Sequence, residues 1–226
     1  MLIMNKFIYS LLTVVLCAFL FACSSSEAKV LSVTGTTIFE YEDEKSSPAL
    51  RFSVFVHIEN EAQRTESLKI VHRATKYTWY VSNPIIFTNS NKNYAGYSNL
   101  KSPGPDDVLT GTYDVFYYDA AGNEAKTSFS LSYKKELIDS PCTEIRNITK
   151  GILAENTILY DKNMNMLYYG AKKSTWKADV NIMRDYNKAA YIRTCLATTS
   201  GSQLYLLPLR KLGETEKKTD GELNNE

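Results

Sequence analysis

Apolar and polar residues alternate with a period of two along much of the first half of the chain. Phe52, Val54, Val56 and Ile58 alternate with Ser53, Phe55, His57 and Glu59, which makes one face of a strand apolar. Leu68-Lys69-Ile70-Val71 and Tyr77-Thr78-Trp79-Tyr80-Val81 are β-branched and aromatic runs of strand length. Thr112–Asp119 and Ala125–Tyr133 read as a hairpin, because Ala120-Ala121-Gly122-Asn123 between them tolerates positive φ. Asn83-Pro84 and Ser102-Pro103-Gly104-Pro105 punctuate the stretch as loops. Short strands separated by turns predict a sandwich over residues 30–133.

The pattern then changes. Lys134–Pro141 is charged and ends in proline, and it reads as a linker over residues 134–141. Thr157–Tyr160 and Met164–Gly170 read as strands around an Asp161-Lys162-Asn163 turn. Val180, Ile182, Met183, Tyr186, Ala189 and Ala190 fall near helical spacing, with Asp179 placed to favour a helix start. Tyr191–Ala197 and Gln203–Leu209 read as a hairpin across Thr199-Ser200-Gly201-Ser202. The expectation is a small α+β domain over residues 142–212, followed by a charged, disordered tail over 213–226. The predicted class is mainly β, a sandwich followed by a small α+β domain.

The amino terminus carries an address. Lys6 precedes an apolar stretch from Phe7 to Phe21, and the stretch ends Leu20-Phe21-Ala22-Cys23, as in a secretory signal peptide over residues 1–22. A membrane-spanning helix needs about 20 apolar residues and this run has about 15. Cys at the cut resembles the lipobox of bacterial lipoproteins. The resemblance implies that Cys23 carries a diacylglyceryl group and an acylated amino terminus, with chains such as palmitate, and that residues 23–29 are a tether. Three chains make such an anchor effectively permanent, each buried methylene being worth about 0.8 kcal/mol. Ser24 after the cysteine resembles the class sent to the outer membrane. The expected location is the cell envelope, lipid-anchored, at the outer membrane.

Composition narrows the possibilities. There are 26 basic and 25 acidic residues. The signal holds only Lys6, so the mature chain has 26 − 1 = 25 basic residues against 25 acidic. That balance argues against nucleic acid as a partner, since phosphates demand an excess of Lys and Arg. Residues 142–212 nevertheless hold 11 basic and 5 acidic residues, a net +6, including Lys172, Lys173 and Arg193. Of the four cysteines, Cys142 and Cys195 remain after Cys17 leaves with the signal and Cys23 takes lipid. In an oxidising compartment they are expected to pair as a disulfide, the alternative being two separate buried thiols.

Leu109-Thr-Gly-Thr-Tyr-Asp-Val-Phe-Tyr-Tyr-Asp-Ala-Ala-Gly-Asn-Glu resembles the last two strands of bacterial immunoglobulin-like domains. The resemblance covers Val30–Tyr133. It implies an immunoglobulin-like β-sandwich with Tyr113 at the tyrosine corner. Val115 stands where an antibody domain has cysteine, so no internal disulfide is implied. The fold is almost silent on activity, because it hosts many unrelated ones.

Catalytic motifs are sparse. The two histidines, His57 and His72, form no metal-ligand spacing, and no Gly-x-Ser-x-Gly elbow or phosphate loop occurs. Asp161-Lys-Asn163-Met-Asn165 begins like a calcium loop, but Met166 stands where glycine is needed and Lys172 where the bidentate glutamate belongs. Asp106-Asp107 and Glu40–Glu44 are acidic clusters in expected loops. No catalytic residue, metal or cofactor is predicted, and the chain is expected not to be an enzyme. Tyr77, Trp79, Tyr80, Tyr94 and Tyr97 concentrate in one part of the first domain, where rings with polar tips suit glycan or protein contact. The expected function is a non-enzymatic binding or structural role at the envelope, adhesin-like or in envelope assembly, with the membrane and a protein or glycan as partners. The alternatives are a glycan or small-ligand receptor built on those aromatics, or an enzyme in which His57 or His72 meets a carboxylate in a pocket.

Overall fold

The computed structural model of the chain describes residues 29–59, 62–102, 104 and 108–214. The expected signal peptide, Cys23, Asp106-Asp107 and most of the tail lie outside those residues. The strands in chain order are β1 (Val30–Glu40), β2 (Ala49–Ile58), β3 (Thr65–His72), β4 (Thr78–Val81), β5 (Ile85–Asn89), β6 (Lys92–Leu100), β7 (Gly111–Asp119) and β8 (Glu124–Leu131). They continue with β9 (Leu153–Asp161), β10 (Met166–Gly170), β11 (Ala189–Thr198), β12 (Gln203–Leu206) and β13 (Arg210–Lys211). Two short helices are α1 (Ile145–Thr149) and α2 (Asp179–Asp185). The chain is mainly β, with its sheets in a sandwich-like arrangement.

A nine-stranded sheet runs β10-β9-β11-β12-β1-β2-β6-β5, with β13 on β11, and a four-stranded sheet runs β4-β3-β7-β8. The period-two pattern explains how they face. Val54 opposes Gly35 and Val56 opposes Val33 across β1–β2, so these side chains share the inner face. There Phe52, Val54, Val56 and Ile58 meet Leu68, Ile70, Trp79, Val115 and Leu131 of the other sheet. Fully burying such a side chain contributes roughly 1.5–3 kcal/mol. Gly35 is required at this contact, because a Cβ there would lie 2.1 Å from the Phe129 ring. The Tyr113 hydroxyl donates to the Leu109 carbonyl, tying β7 to the loop before it. Trp79 Nε1 donates to the Lys101 carbonyl at 2.7 Å.

The strands after Pro141 do not build a sheet of their own. β12 pairs in parallel with β1, Phe39 opposite Tyr205, so β9–β12 prolong the sheet that β1 and β2 begin. The expected small α+β domain is therefore replaced by an extension of the first sheet. Its inner face is roofed by two short segments. Leu137 and Ile145 pack over Phe39, Tyr41, Leu196 and Tyr205. Trp176 and Ile182 pack over Leu159. Within α2 it is Ile182 that is buried, while Val180 is 65% exposed, and Ala189 and Ala190 belong to β11 rather than to a longer helix. No third sheet lies on the outer face of the nine-stranded sheet among the described residues.

Cys142 and Cys195 are free thiols, not the expected disulfide. Cys195 points to the outer face, beside Ile38, Ile158 and Leu206. Cys142 packs with Phe39 and Tyr41, which lie on the inner face because Phe39 and Ile38 alternate along β1. The sheet stands between the two sulfurs, and no local adjustment brings them into bonding geometry. Burial pushes the Cys195 thiol up to about 11, which keeps it protonated and unreactive.

Two outcomes follow from this packing. Gly35→Ala should destabilise the protein by about 1–3 kcal/mol in urea titration, and Phe129→Leu in the same chain should recover part of the loss. Denatured, unreduced protein should titrate two thiols from Cys142 and Cys195, and in the native state Cys142 should react with a thiol reagent well before Cys195.

Candidate binding site

The outer face near β5 carries a cluster of aromatic side chains, of which Phe87 is the exposed member and Phe55 and Tyr94 are half-buried. β5 and β6 form a hairpin over Ser90 and Asn91, both with positive φ (49° and 61°), as a two-residue loop of the primed type requires. The register sets Phe87 opposite Tyr94, Tyr94 opposite His57, and Phe55 opposite Gly96. The Phe87 ring stacks on Tyr94 with centroids 5.1 Å apart and meets Phe55 edge-on at 5.4 Å. Tyr94 in turn lies 5.3 Å from the His57 ring. Gly96 lets the Phe55 ring settle onto the sheet, since a Cβ there would come within 2.4 Å of it. Phe87 is 40% exposed and Ile85 44%. The result is a ridge of rings across three strands. Its signal was present in the sequence as Phe55 and His57 at positions opposite the apolar face, followed by the run Ile85-Ile86-Phe87.

The aromatic cluster expected from sequence is brought together in part. Tyr77, Trp79, Tyr80 and Tyr97 line a groove of about 430 Å³ beside β4, together with Ser82 and Asn83. Tyr77 meets Trp79 edge-on at 4.5 Å. Trp79 is buried and its N–H is already taken by Lys101, so only part of its ring is offered. Tyr80 points away from the core and is 74% exposed. Tyr94 does not join them; it sits on the outer face in the Phe87 ridge.

A charged cluster marks the junction of β1 with β11 and β12. Arg193, 8% exposed, donates from Nη1 to Glu40 Oε1 at 2.5 Å. Arg51 donates from Nε to Glu40 Oε2 at 3.3 Å and from Nη1 to the Ser98 carbonyl at 2.6 Å. Burial pushes the Glu40 carboxyl up, but hydrogen bonds and charge from Arg193 and Arg51 outweigh it, and its pKa falls below the ordinary 4.5. One carboxylate thus serves two guanidiniums, one from β2 and one from β11, which is a structural use of charge.

The remaining chemical candidates are occupied structurally. His72 is buried; its Nε2 donates to the Thr110 carbonyl at 3.0 Å and its Nδ1 accepts from Thr75 at 2.9 Å. His57 lies against Tyr94 on the outer face, far from that position in the opposite sheet. Asp161 accepts from the Asn163 and Asn165 backbone and from Asn165 Nδ2, all within 2.8–2.9 Å, so the calcium-like stretch closes on itself as a turn. Asp119 does the same with the Ala121 and Asn123 backbone and Asn123 Nδ2. The two turns match position for position. Gly122 (φ 81°) stands in one where Met164 (φ 63°) stands in the other. Among the described residues no group of three or more His, Cys, Asp or Glu gathers as a metal site.

The chain matches no protein-family model and no curated protein. Among solved structures it has a likeness to murine CEACAM1b at 8% identity and a TM-score of 0.18, covering 80% of this chain and 98% of that one. A superposition that loose fixes no shared arrangement.

Glu40→Gln leaves Arg193 buried without a counter-charge and should cost about 3 kcal/mol at neutral pH. In the unaltered protein the Glu40 contribution is complete above pH 4.5, its unfolded value, and is lost as the pH falls through the lower folded value. Denaturation curves across that window should therefore be flatter for the variant. Met164→Gly should stabilise by about 0.5–1 kcal/mol, because it relieves a left-handed conformation that disfavours a side chain.

Proposed function

We propose that this is a lipid-anchored cell-envelope protein, held through Cys23, with an immunoglobulin-like sandwich that binds a protein partner and performs no catalysis. The strand order supports the immunoglobulin-like reading: β1-β2-β6-β5 facing β4-β3-β7-β8 reproduces the A-B-E-D and C′-C-F-G sheets of that fold. The observation that carries the binding role is the outer-face ridge of Phe55, Phe87 and Tyr94. Contiguous rings on a sheet face, half-buried at Phe55 and Tyr94 and exposed at Phe87, have the composition of an interface centre, where Tyr and Phe are enriched and charge is depleted. The lipid anchor gives such a module its place at the membrane.

A photo-crosslinking residue at position 87 in living cells tests the reading. It should trap a discrete envelope protein, and the same residue at position 169, at the far end of that face, should trap less of it. Phe87→Ser together with Tyr94→Ser should abolish recovery of that protein while leaving the melting temperature within a few degrees. Loss of the fold, or an unchanged partner profile, counts against it. Cys23→Ala should leave an unprocessed precursor that takes up no clickable fatty acid.

The groove beside β4 supports a second reading, a glycan or small-ligand receptor. Four of the five aromatics expected for it converge there with the polar tips of Ser82 and Asn83. Glycan-array binding lost on Tyr77→Ala and Tyr97→Ala but kept on Phe87→Ser would favour the groove over the ridge.

A further inference from the structure

A third aromatic cluster lies under α2, on the opposite face of the sheet extension from the outer surface. Tyr168 of β10, Trp176 in the loop after it and Tyr186 just beyond α2 form three walls. Their centroids are 4.9 Å (Tyr168–Trp176), 5.6 Å (Tyr168–Tyr186) and 5.8 Å (Trp176–Tyr186) apart, with planes inclined by 72°, 59° and 83°. The space between them holds a cation. Lys173 Nζ lies 5.0 Å from the Trp176 centroid, 5.2 Å from Tyr186 and 5.9 Å from Tyr168. Each distance is within the range in which a ring face attracts a positive charge. Asp185 completes the box: its Oδ2 accepts from Trp176 Nε1 at 2.8 Å and stands 3.4 Å from Lys173 Nζ.

The box suits its occupant poorly in one respect. A lysine ammonium carries three N–H donors. Here the carboxylate oxygen it approaches is shared with the shorter bond from the Trp176 indole, and the walls are ring faces. A cation without N–H groups loses nothing in such a place, and three ring faces with one carboxylate are the recognition chemistry of methylated ammonium groups. Lys173 is also removable. Its side chain is 43% exposed and its ion pair with Asp185 is stretched to 3.4 Å, whereas Trp176 beneath it is 1% exposed. Lys173 lies over the ring faces, whereas Ile182 and Leu159 pack with Trp176 in the cluster that holds α2 to the sheet.

We propose that Tyr168, Trp176, Tyr186 and Asp185 form a binding site for a quaternary ammonium group, with Lys173 as a resident cation that a ligand must displace. The site is independent of the Phe87 ridge and of the groove beside β4. Lys173 acts as an intramolecular competitor at high effective concentration, so the unaltered protein binds weakly and removal of the lysine strengthens binding.

The test is titration of the full chain with tetramethylammonium, choline and glycerophosphocholine, read from the Trp176 indole N–H resonance, with ammonium and tert-butanol as matched controls. Lys173→Ala and Lys173→Gln should both show saturable shifts, with a Kd on the order of 1 mM and at least about tenfold weaker binding in the unaltered protein. Tyr186→Leu in the Lys173→Ala background should abolish the shift, and Asp185→Asn should weaken it. Equal binding of choline and glycerophosphocholine assigns the site to a choline headgroup, and binding of choline alone assigns it to a small free cation. Absence of a saturable shift in both folded Lys173 variants overturns the proposal. So does ammonium or tert-butanol binding as well as tetramethylammonium.

Discussion

The structure depends on a single strand being paired along both of its edges. β1 pairs antiparallel with β2 from Val30 to Glu40 and parallel with β12 from Thr37 to Glu40. Its side chains therefore serve two cores. Val33 and Gly35 face the four-stranded sheet, and Phe39 and Tyr41 reach the cluster roofed by Leu137 and Ile145. The first eight strands alone would present β1 as an exposed edge, with unpaired backbone groups available to other chains. Here β12 occupies that edge from Thr37 to Glu40 and turns a liability into the spine of the molecule.

Charge is placed to favour this join. The basic excess of residues 142–212 is not spread evenly. Arg193, its most buried member, crosses to Glu40 at the end of β1, and Arg51 meets the same carboxylate from the other side. Other members are paired locally, Arg146 with Glu155 and Arg210 with Asp179. A charge imbalance counted along the sequence thus becomes, in three dimensions, a bond between the first and the second halves of the chain. The buried pair acts more as a register pin than as a source of net stability, since desolvation offsets much of its attraction.

Local signals in the sequence were legible. The alternation in β2, the Asp119–Asn123 turn and the strands on either side of Asp161 all appear where the pattern of apolar residues and turn formers puts them. Tyr113 makes a hydrogen bond back to Leu109, as the resemblance to immunoglobulin-like strands implies. What the sequence did not disclose is partnership over distance. Nothing in Gln203–Leu206 says that it pairs with β1 rather than only with its hairpin neighbour β11, because parallel and antiparallel partners demand the same apolar run. The disulfide expectation failed for a related reason: cysteine number carries no information about which face of a sheet each side chain takes. The ridge at Phe87 was overlooked because Phe55 was counted among the polar positions of β2, and Tyr94 was grouped with Tyr97 although three residues along a strand reverse the face.

The pairing of β1 with β12 also sets the order in which the molecule can complete itself. Thr37 and Gln203 lie at opposite ends of the described chain yet share a register. A polypeptide that emerges amino terminus first can close β1 on β2 early, but the other edge of β1 waits for Gln203–Leu206. Long-range parallel pairing is slow, because loop closure precedes any compensating contact. During that interval Phe39 and Tyr41 lack Leu196 and Tyr205 and β1 offers an open edge, the state in which nascent β proteins associate wrongly. The architecture therefore places its period of greatest vulnerability between synthesis of the first half and arrival of the last strands, where a holding chaperone would act.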